Sequence, residues 1–390
     1  MLIGFSVKNY KTFYGECNLS MLAGSGAEYE GFNTFQDEDE KGLKSVLIYG
    51  ANSNGKTNLI SAMQLLKKIM VSDFSKQKEL LSECEPFIFN EKSAKEAVEF
   101  EVEFKTNNIL YTYGFHVLHG KVVKEYLLKK KKRTVTIFER KSSSYKDIKA
   151  GKNLFNGELR LIDMVREDIL FIKFAYMLNN KISKEVVDYF ATWLSDKDAE
   201  FPYRLIDTES GEMHDDALRL MKYADKSIKT LKLHTEDKKK ELLLGRYFYS
   251  ENWKPTAIVD VEFKRFSSSG SNHLYRILRN VFYVLDTGGV FIVDEIHNHL
   301  HPLLTKSIVE MFNSIKYNSR NAQLICTVHD VYLINSEIRR DQLWFIDKDE
   351  CGRSSLYSLA DFKNIRKDSD ILKKYLLGVY GAIPNIDDLD

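Results

Sequence analysis

The stretch Gly50-Ala51-Asn52-Ser53-Asn54-Gly55-Lys56-Thr57 fits G-x-x-x-x-G-K-[ST], the phosphate-binding P-loop pattern. The pattern has that meaning only between a strand and a helix, and the sequence supplies both. Ser45-Val46-Leu47-Ile48-Tyr49 is a short apolar run of the kind a buried strand carries. From Asn58 to Ile69 apolar residues recur at helical spacing. Gly50 and Gly55 let the backbone wrap closely around an anion. The N–H groups from Ala51 to Asn58 then point at phosphate oxygens, and the helix N-terminus adds positive potential. Lys56 is expected to reach the β- and γ-phosphates of ATP, and the Thr57 hydroxyl to bind Mg2+.

Global composition selects no partner, because 57 basic and 56 acidic residues leave a formal net charge of +1. The 390 residues suggest two or three domains, and 44% hydrophobic content is ample for a core. Cys17, Cys84, Cys326 and Cys351 are far apart, which suits neither a disulfide framework nor a zinc site. The first residues lack the basic start and apolar core of a signal peptide, and no apolar run is long enough to span a membrane. The expectation is a soluble, cytoplasmic protein with no membrane partner.

Leu2 to Val7 is expected to be a strand, with Asn9-Tyr10-Lys11 at its end. Gly24 to Gly42, rich in Gly, Glu and Asp, is expected to be a mobile loop. From Val98 to Arg140 the period changes to two, and successive runs separated by Asn-Asn and His-Gly turns predict an antiparallel meander. Lys129 to Arg133 sits at one of its turns. A solvated turn is the favoured reading, and a phosphate-backbone contact is the other. From about Asn156 to Gly245 the pattern predicts helices, including Ile182–Leu194 with Ser183 as a cap and His214–Leu233, with Lys238 to Lys240 beyond. Ala257 to Phe263 returns to strand, and a helix is expected from His273 to Leu285.

Val290-Phe291-Ile292-Val293-Asp294-Glu295 is four apolar residues followed by two carboxylates. The run predicts a buried parallel strand whose end sits beside the P-loop. There Asp294 can hold Mg2+ or its water, and Glu295 can orient and deprotonate an attacking water. A further strand, Ala322–Val328, ends in His329-Asp330.

Asn9-Tyr10-Lys11, the P-loop, Ser269-Gly270-Ser271, the Asp-Glu strand, Leu300-His301-Pro302 and Thr327-Val328-His329 together resemble the ABC-type ATPase heads of SMC, RecF and OLD proteins. The resemblance is strongest to bacterial "AAA family" ATP-binding proteins of abortive-infection and restriction-linked anti-phage loci. It implies an α/β P-loop fold, with an antiparallel β lobe and a helical insertion on an ABC-ATPase-like head. The expected divisions are 1–155, 156–250 and 251–390. It implies that Asn9 and Lys11 lie near the nucleotide, that His329 senses the γ-phosphate, and that Ser269, Gly270 and Ser271 cap the γ-phosphate bound by a second subunit. Asn272 and His273 follow the signature where the family often carries basic residues. The glutamine that usually follows the first lobe's strands is not assigned.

Two strings are set aside. His297-Asn298-His299 spells HNH, but nucleases of that name spread their residues over a ββα-metal fold. His297, His299 and His301 alternate like metal ligands, yet no carboxylate or Cys partner accompanies them, and an interface loop is the favoured reading. No acidic Toprim-like set follows His329, where OLD proteins carry a nuclease. The expected protein is therefore an ATPase that dimerises on ATP and controls a separate effector, a nuclease by preference. A DNA-binding repair or clamp ATPase is the alternative.

Overall fold

The computed structural model describes residues 1–151, 158–195, 205–206, 212–236, 239–363 and 370–384. The expected boundary at 155/156 and Lys238 lie outside them.

Two large sheets dominate. The first is the antiparallel meander extended by the N-terminal hairpin. Its order is Ile148–Ala150, Thr134–Arg140, Lys121–Lys130, Ile109–Leu118, Val98–Thr106, Leu2–Tyr10, Phe13–Ser20. Alternation dictates its faces: Val98, Phe100, Val102 and Phe104 are buried while Glu99, Glu101 and Glu103 are not. The second sheet runs Trp193–Ser195, Val290–Val293, Gln323–Thr327, Ser45–Tyr49, Leu343–Lys348, Ser354–Ser358. All neighbours in it are parallel except the last pair.

The P-loop strand is buried throughout because both of its faces are covered. Val46 and Ile48 join a core shared with the antiparallel sheet. Leu47 and Tyr49 join a second core, under helices Ser269–Thr287 and Pro302–Asn313. The P-loop helix Lys56–Val71 belongs to the first core, and its buried residues include Leu59, Ile60, Met63, Leu66 and Ile69. Eleven of its 16 residues are buried, the polar Gln64 and Lys67 among them, so it is an interior helix despite its polar positions. It packs against helix Lys181–Ala191, and Tyr189 of that helix stacks on Phe104 of the meander at 4.1 Å between centroids.

Several expectations change. Gly24–Gly42 is ordered: helix Glu30–Asn33 and the hairpin Thr34–Asp37/Glu40–Leu43 occupy most of it. Buried Arg339 donates to the carbonyls of Gly24, Gly26 and Glu28, which ties down the part without regular structure. The helix expected over Ile182–Leu194 starts at Lys181 and ends at Ala191, and its cap is Asn180, whose side chain accepts from Ile182 and Ser183 N–H. Ser183 is buried inside the first turn. Trp193–Ser195 instead forms the edge strand beside the Asp-Glu strand. The helix expected over His214–Leu233 ends at Ala224. Thr230–Glu236 is a strand, in a three-stranded antiparallel sheet with Lys239–Tyr249 and Pro255–Glu262. Leu231 faces Leu244 and Leu233 faces Leu242, a period of two. That sheet runs continuously across position 250/251. No helix among the described residues is long and apolar enough to cross a membrane.

Candidate functional site

The P-loop is shaped by what lies behind it. A Cβ on Gly50 would stand 2.5 Å from the Ile346 carbonyl oxygen, so only glycine fits there. Gly55 has φ of 110°, and a Cβ on it would meet Ser354 Oγ at 2.5 Å and Thr12 Oγ1 at 2.8 Å. Ser53 is also left-handed, with φ of 68°. The Asn54 amide donates to Ile346 O and Asp347 Oδ1, both at 3.2 Å, and its carbonyl accepts from Ser354 Oγ at 2.6 Å. The Asn58 amide donates to Thr12 Oγ1 at 2.9 Å. The loop is therefore clamped by the N-terminal hairpin on one side and the Leu343–Ser358 hairpin on the other. Lys56 Nζ donates to the carbonyls of Gly50 (2.7 Å) and Ala51 (2.9 Å), and burial lowers its pKa. Asn52, Ser53 and Thr57 are exposed, and Ala51 is half-buried.

Strand order brings in the carboxylates. The Asp-Glu strand is not the immediate neighbour of the P-loop strand, because Gln323–Thr327 lies between them. That intervening strand supplies Thr327, which the sequence reading passed over. Its fully buried hydroxyl donates to Asp294 Oδ1 at 2.6 Å and accepts from the Glu295 N–H at 2.7 Å. Glu295 is held at φ of 50°, outside the strand geometry that ends at Val293. Its carboxylate lies 3.7 Å from His329 Nε2. Asn52, Ser53, Gly55, Lys56, Thr57, Asn58, Glu295 and His329 line one cleft of about 150 Å3. Burial lowers the His329 pKa first, and the positive Lys56 and neighbouring His297 lower it further. His297 lies beside it, the rings 5.4 Å apart and nearly perpendicular.

The other candidates are placed elsewhere. Asn9 is 2% exposed and satisfies loop backbone: it donates to Ser93, Glu96 and Ala97 carbonyls and accepts from Phe87 N–H. Its polar groups are thus committed to that loop, and the N-terminal segment reaches the P-loop through Thr12 instead. Lys11 has φ of 50°, with its ammonium 5.4 Å from the Tyr10 ring centroid. Ser269 opens its helix and is exposed, and Gly270 packs under the His299 carbonyl. Ser271 is buried, its N–H capped by Ser268 Oγ at 3.0 Å. The alternating histidines diverge: His297 meets His329, His299 meets His273, and His301 caps helix Pro302–Asn313 through Nδ1. No group that could hold a metal by histidine, cysteine or carboxylate clustering occurs among the described residues.

The cleft suits the phosphate groups of a nucleotide and a cation beside them. The two glycines let the loop rest directly against Ile346, Ser354 and Thr12, and Lys56 is a cation positioned at the loop. The exposed Thr57 hydroxyl and the Asp294 carboxylate, held by Thr327, would be the hard oxygen donors for Mg2+. A glycine loop between a parallel strand and a buried helix, with Asp-Glu one strand removed and a histidine just past the strand between, defines a P-loop ATPase. Residues 45–335, about three quarters of the chain, match the family model described as "AAA domain, putative AbiEii toxin, Type IV TA system". The chain belongs to that family. No curated protein matches it. Among solved structures, the SMC head domain from Thermotoga maritima is similar over 92% of this chain and 98% of that one, at 11% identity and a TM-score of 0.42.

Proposed function

We propose that this protein hydrolyses ATP in a dimer of heads and uses the closed and open states to control a separate effector, a nuclease by preference, in an anti-phage or toxin–antitoxin system. The observation that carries the ATPase half is the single cleft that gathers Lys56, Thr57, Glu295 and His329. The family's description supports the defence context. In this reading the P-loop N–H groups and Lys56 bind the β- and γ-phosphates. Mg2+, when bound through Thr57 and Asp294, neutralises phosphate charge. Glu295 takes a proton from the attacking water, and neutral His329 faces the γ-phosphate. Ser269 and Gly270, exposed or half-exposed at the start of a long helix, approach the γ-phosphate bound by the other subunit.

The test is Glu295→Gln, which keeps size and an acceptor but loses the base. Hydrolysis should fall by roughly 10²–10⁴-fold while ATP binding persists. A short thiol cross-linker between Ser53→Cys and Ser269→Cys of two copies should then trap the closed dimer only with ATP. A wild-type rate in Glu295→Gln would remove Glu295 from catalysis. Lost hydrolysis without ATP-dependent cross-linking would leave the site standing and refute head closure. A second reading, contact with duplex DNA, rests on the exposed turn Lys130–Arg133. Salt-dependent binding lost on neutralising that turn would favour it.

A further inference from the structure

A cavity of about 250 Å3 flanks helix Pro302–Asn313, at the end of the P-loop strand away from the P-loop. Asn33 and Asn313 line it, and they are 1% and 7% exposed. One buried network orients both amides. The Arg339 N–H donates to Gln342 Oε1, which fixes that carboxamide. Gln342 Nε2 then donates to the Ser45 carbonyl and to the Ser45 hydroxyl. Ser45 Oγ, already accepting from Gln342, donates to Asn313 Oδ1 at 2.9 Å. Asn33 Nδ2 donates to Gln342 Oε1 at 2.7 Å and to the Glu337 carbonyl at 2.6 Å. Each orientation is set by a backbone group, so turning any of the three amides over would break bonds. Two atoms are left over. The Asn33 Oδ1 acceptor and the Asn313 Nδ2 donor have no partner among the described residues. In each amide the committed atom is turned into the network, so the spare atom is turned away from it. Buried polar groups are normally satisfied, and here a donor and an acceptor stand open beside one cavity.

We propose that this cavity takes a side-chain carboxamide, from Asn or Gln, on a segment of a protein partner. A carboxamide offers an N–H to Asn33 Oδ1 and a carbonyl to Asn313 Nδ2 from one planar group. A carboxylate has no donor to give and an ammonium no acceptor. The walls say what flanks it. Val309 and Leu333 are buried there, and Phe32 is 58% exposed, which suits an apolar residue beside the amide. At the rim Lys306 and Glu310 pair with each other at 3.5 Å, whereas the exposed Glu337 has no ion pair among the described residues. A basic residue next to the amide completes the match. The same rim rejects a nucleotide. A nucleobase edge could meet the two amides, but its phosphate would meet Glu310 and Glu337, with Lys306 already paired. One or two waters could bridge the amides, but at about 10–15 Å3 each they would leave most of the cavity unfilled. Ser45 opens the strand that ends at the P-loop, so the nucleotide cleft lies at the other end of the sheet. A partner seated here clears the heads whether they are open or closed, and the site does not depend on the ATPase reading.

Titration calorimetry of the full chain with blocked tripeptides tests it. Acetyl-Leu-Gln-Lys-amide should bind with a dissociation constant below about 1 mM. Acetyl-Leu-Glu-Lys-amide has the same shape without the amide donor and should bind about tenfold more weakly. Asn313→Leu removes the spare donor and should lower affinity for the Gln peptide about tenfold. Phe32→Ala removes the exposed wall and should lower it about fivefold. Glu337→Lys should lower it about threefold, and acetyl-Leu-Gln-Glu-amide should recover that loss in the same variant. Phe32 and Glu337 are exposed, so those two variants report on the cavity even if Asn313→Leu fails to fold. Lys56→Ala should bind the Gln peptide as the wild type does, so a failure of the nucleotide site leaves this result readable. No binding of the Gln peptide at millimolar concentration overturns the proposal and leaves the cavity to ordered water. So does equal affinity for the Gln and Glu peptides, or affinity that neither Phe32→Ala nor Glu337→Lys alters. Uridine or adenosine binding more tightly than the Gln peptide would also overturn it and assign the cavity to a nucleobase.

Discussion

Thr327→Val isolates what one buried hydroxyl contributes to the site. Valine matches threonine in shape, so the change removes two hydrogen bonds and leaves no cavity. The first is charge-assisted, from the hydroxyl to Asp294 Oδ1 at 2.6 Å, and such bonds contribute about 1.5–3 kcal/mol. The second is from the Glu295 N–H at 2.7 Å, and an N–H left without a partner costs about 1–3 kcal/mol. The added methyl is buried and returns about 0.8 kcal/mol. The net loss of stability should be about 2–5 kcal/mol. Catalysis should suffer separately. Glu295 sits at φ of 50°, a conformation that costs a non-glycine residue about 1–2 kcal/mol, and the bond to the Thr327 hydroxyl helps to hold it there, beside those from Ile296 N–H to the Thr327 carbonyl and from Asn298 N–H to the Glu295 carbonyl. Releasing it should lower kcat about tenfold through mispositioning of the carboxylate. Thr327→Ser keeps the hydroxyl and should recover most of both effects. Urea unfolding gives the first quantity, and steady-state phosphate release gives the second. If Thr327→Val unfolds within about 0.5 kcal/mol of wild type, or if serine behaves like valine, the hydroxyl does not do this work and the geometry around Asp294 needs another explanation.

Lys56→Ala should abolish detectable binding of a fluorescent ATP analogue, because among the described residues no other lysine or arginine lines the cleft; near-normal affinity would remove the loop's assignment. Gly50→Ala should unfold at markedly lower temperature or fail to bind ATP, since its Cβ meets the Ile346 carbonyl at 2.5 Å and that backbone belongs to the sheet. The pH profile follows from the depressed His329 pKa. A lowered pKa keeps the imidazole neutral at and below its ordinary value of 6.5, so turnover should stay flat as pH falls to that point and decline only below it. A decline centred above 6.5 would contradict the placement of His329 beside Lys56, and His329→Gln should move or remove the acid limb. Asn9→Ala should cost about 2–4 kcal/mol of stability, because it strands the Phe87 N–H and three carbonyls, while leaving ATP affinity nearly unchanged; a selective loss of ATP affinity would return Asn9 to the nucleotide site.

The elements of the candidate site were legible because each is local. A P-loop needs a strand, two glycines, Lys-Thr and a helix in succession, and the Asp-Glu pair needs only an apolar run before it. Neighbours in space but not in sequence were hidden. Thr327 lies 32 residues beyond Glu295, and nothing in Thr-Val-His shows that its hydroxyl turns back to the carboxylates. Thr12 and Ser354 are as remote from Gly55, and only the fold brings their oxygens to within 3 Å of where a Cβ would be. Asn9 was expected near the nucleotide from the resemblance alone, and its hydrogen bonds to four backbone groups of a distant loop have no local signal. The error at Leu231 and Leu233 was one of period. Two leucines two apart fit a strand, but helical residues just before them carried the reading past Ala224.

These remote contacts also explain why the loop can be ready before ATP arrives. Gly50 rests on Ile346, Asn54 on Ile346, Asp347 and Ser354, and Asn58 on Thr12. The supports come from the two hairpins nearest the two ends of the described chain, so the loop keeps its shape only when both are docked. A preformed loop spends none of the binding energy on ordering itself, which leaves that energy for the phosphates. The same clamp makes the loop sensitive to the far hairpin. Ser354→Ala removes the 2.6 Å bond to the Asn54 carbonyl without touching any atom in the cleft. ATP affinity should fall about three- to tenfold, at a stability cost near 1 kcal/mol. Hydrogen exchange should rise in the loop at residues 51–55 and stay unchanged in the P-loop helix. Unchanged affinity together with unchanged exchange would mean that the glycine backbone holds its own shape and the hairpin is only a neighbour.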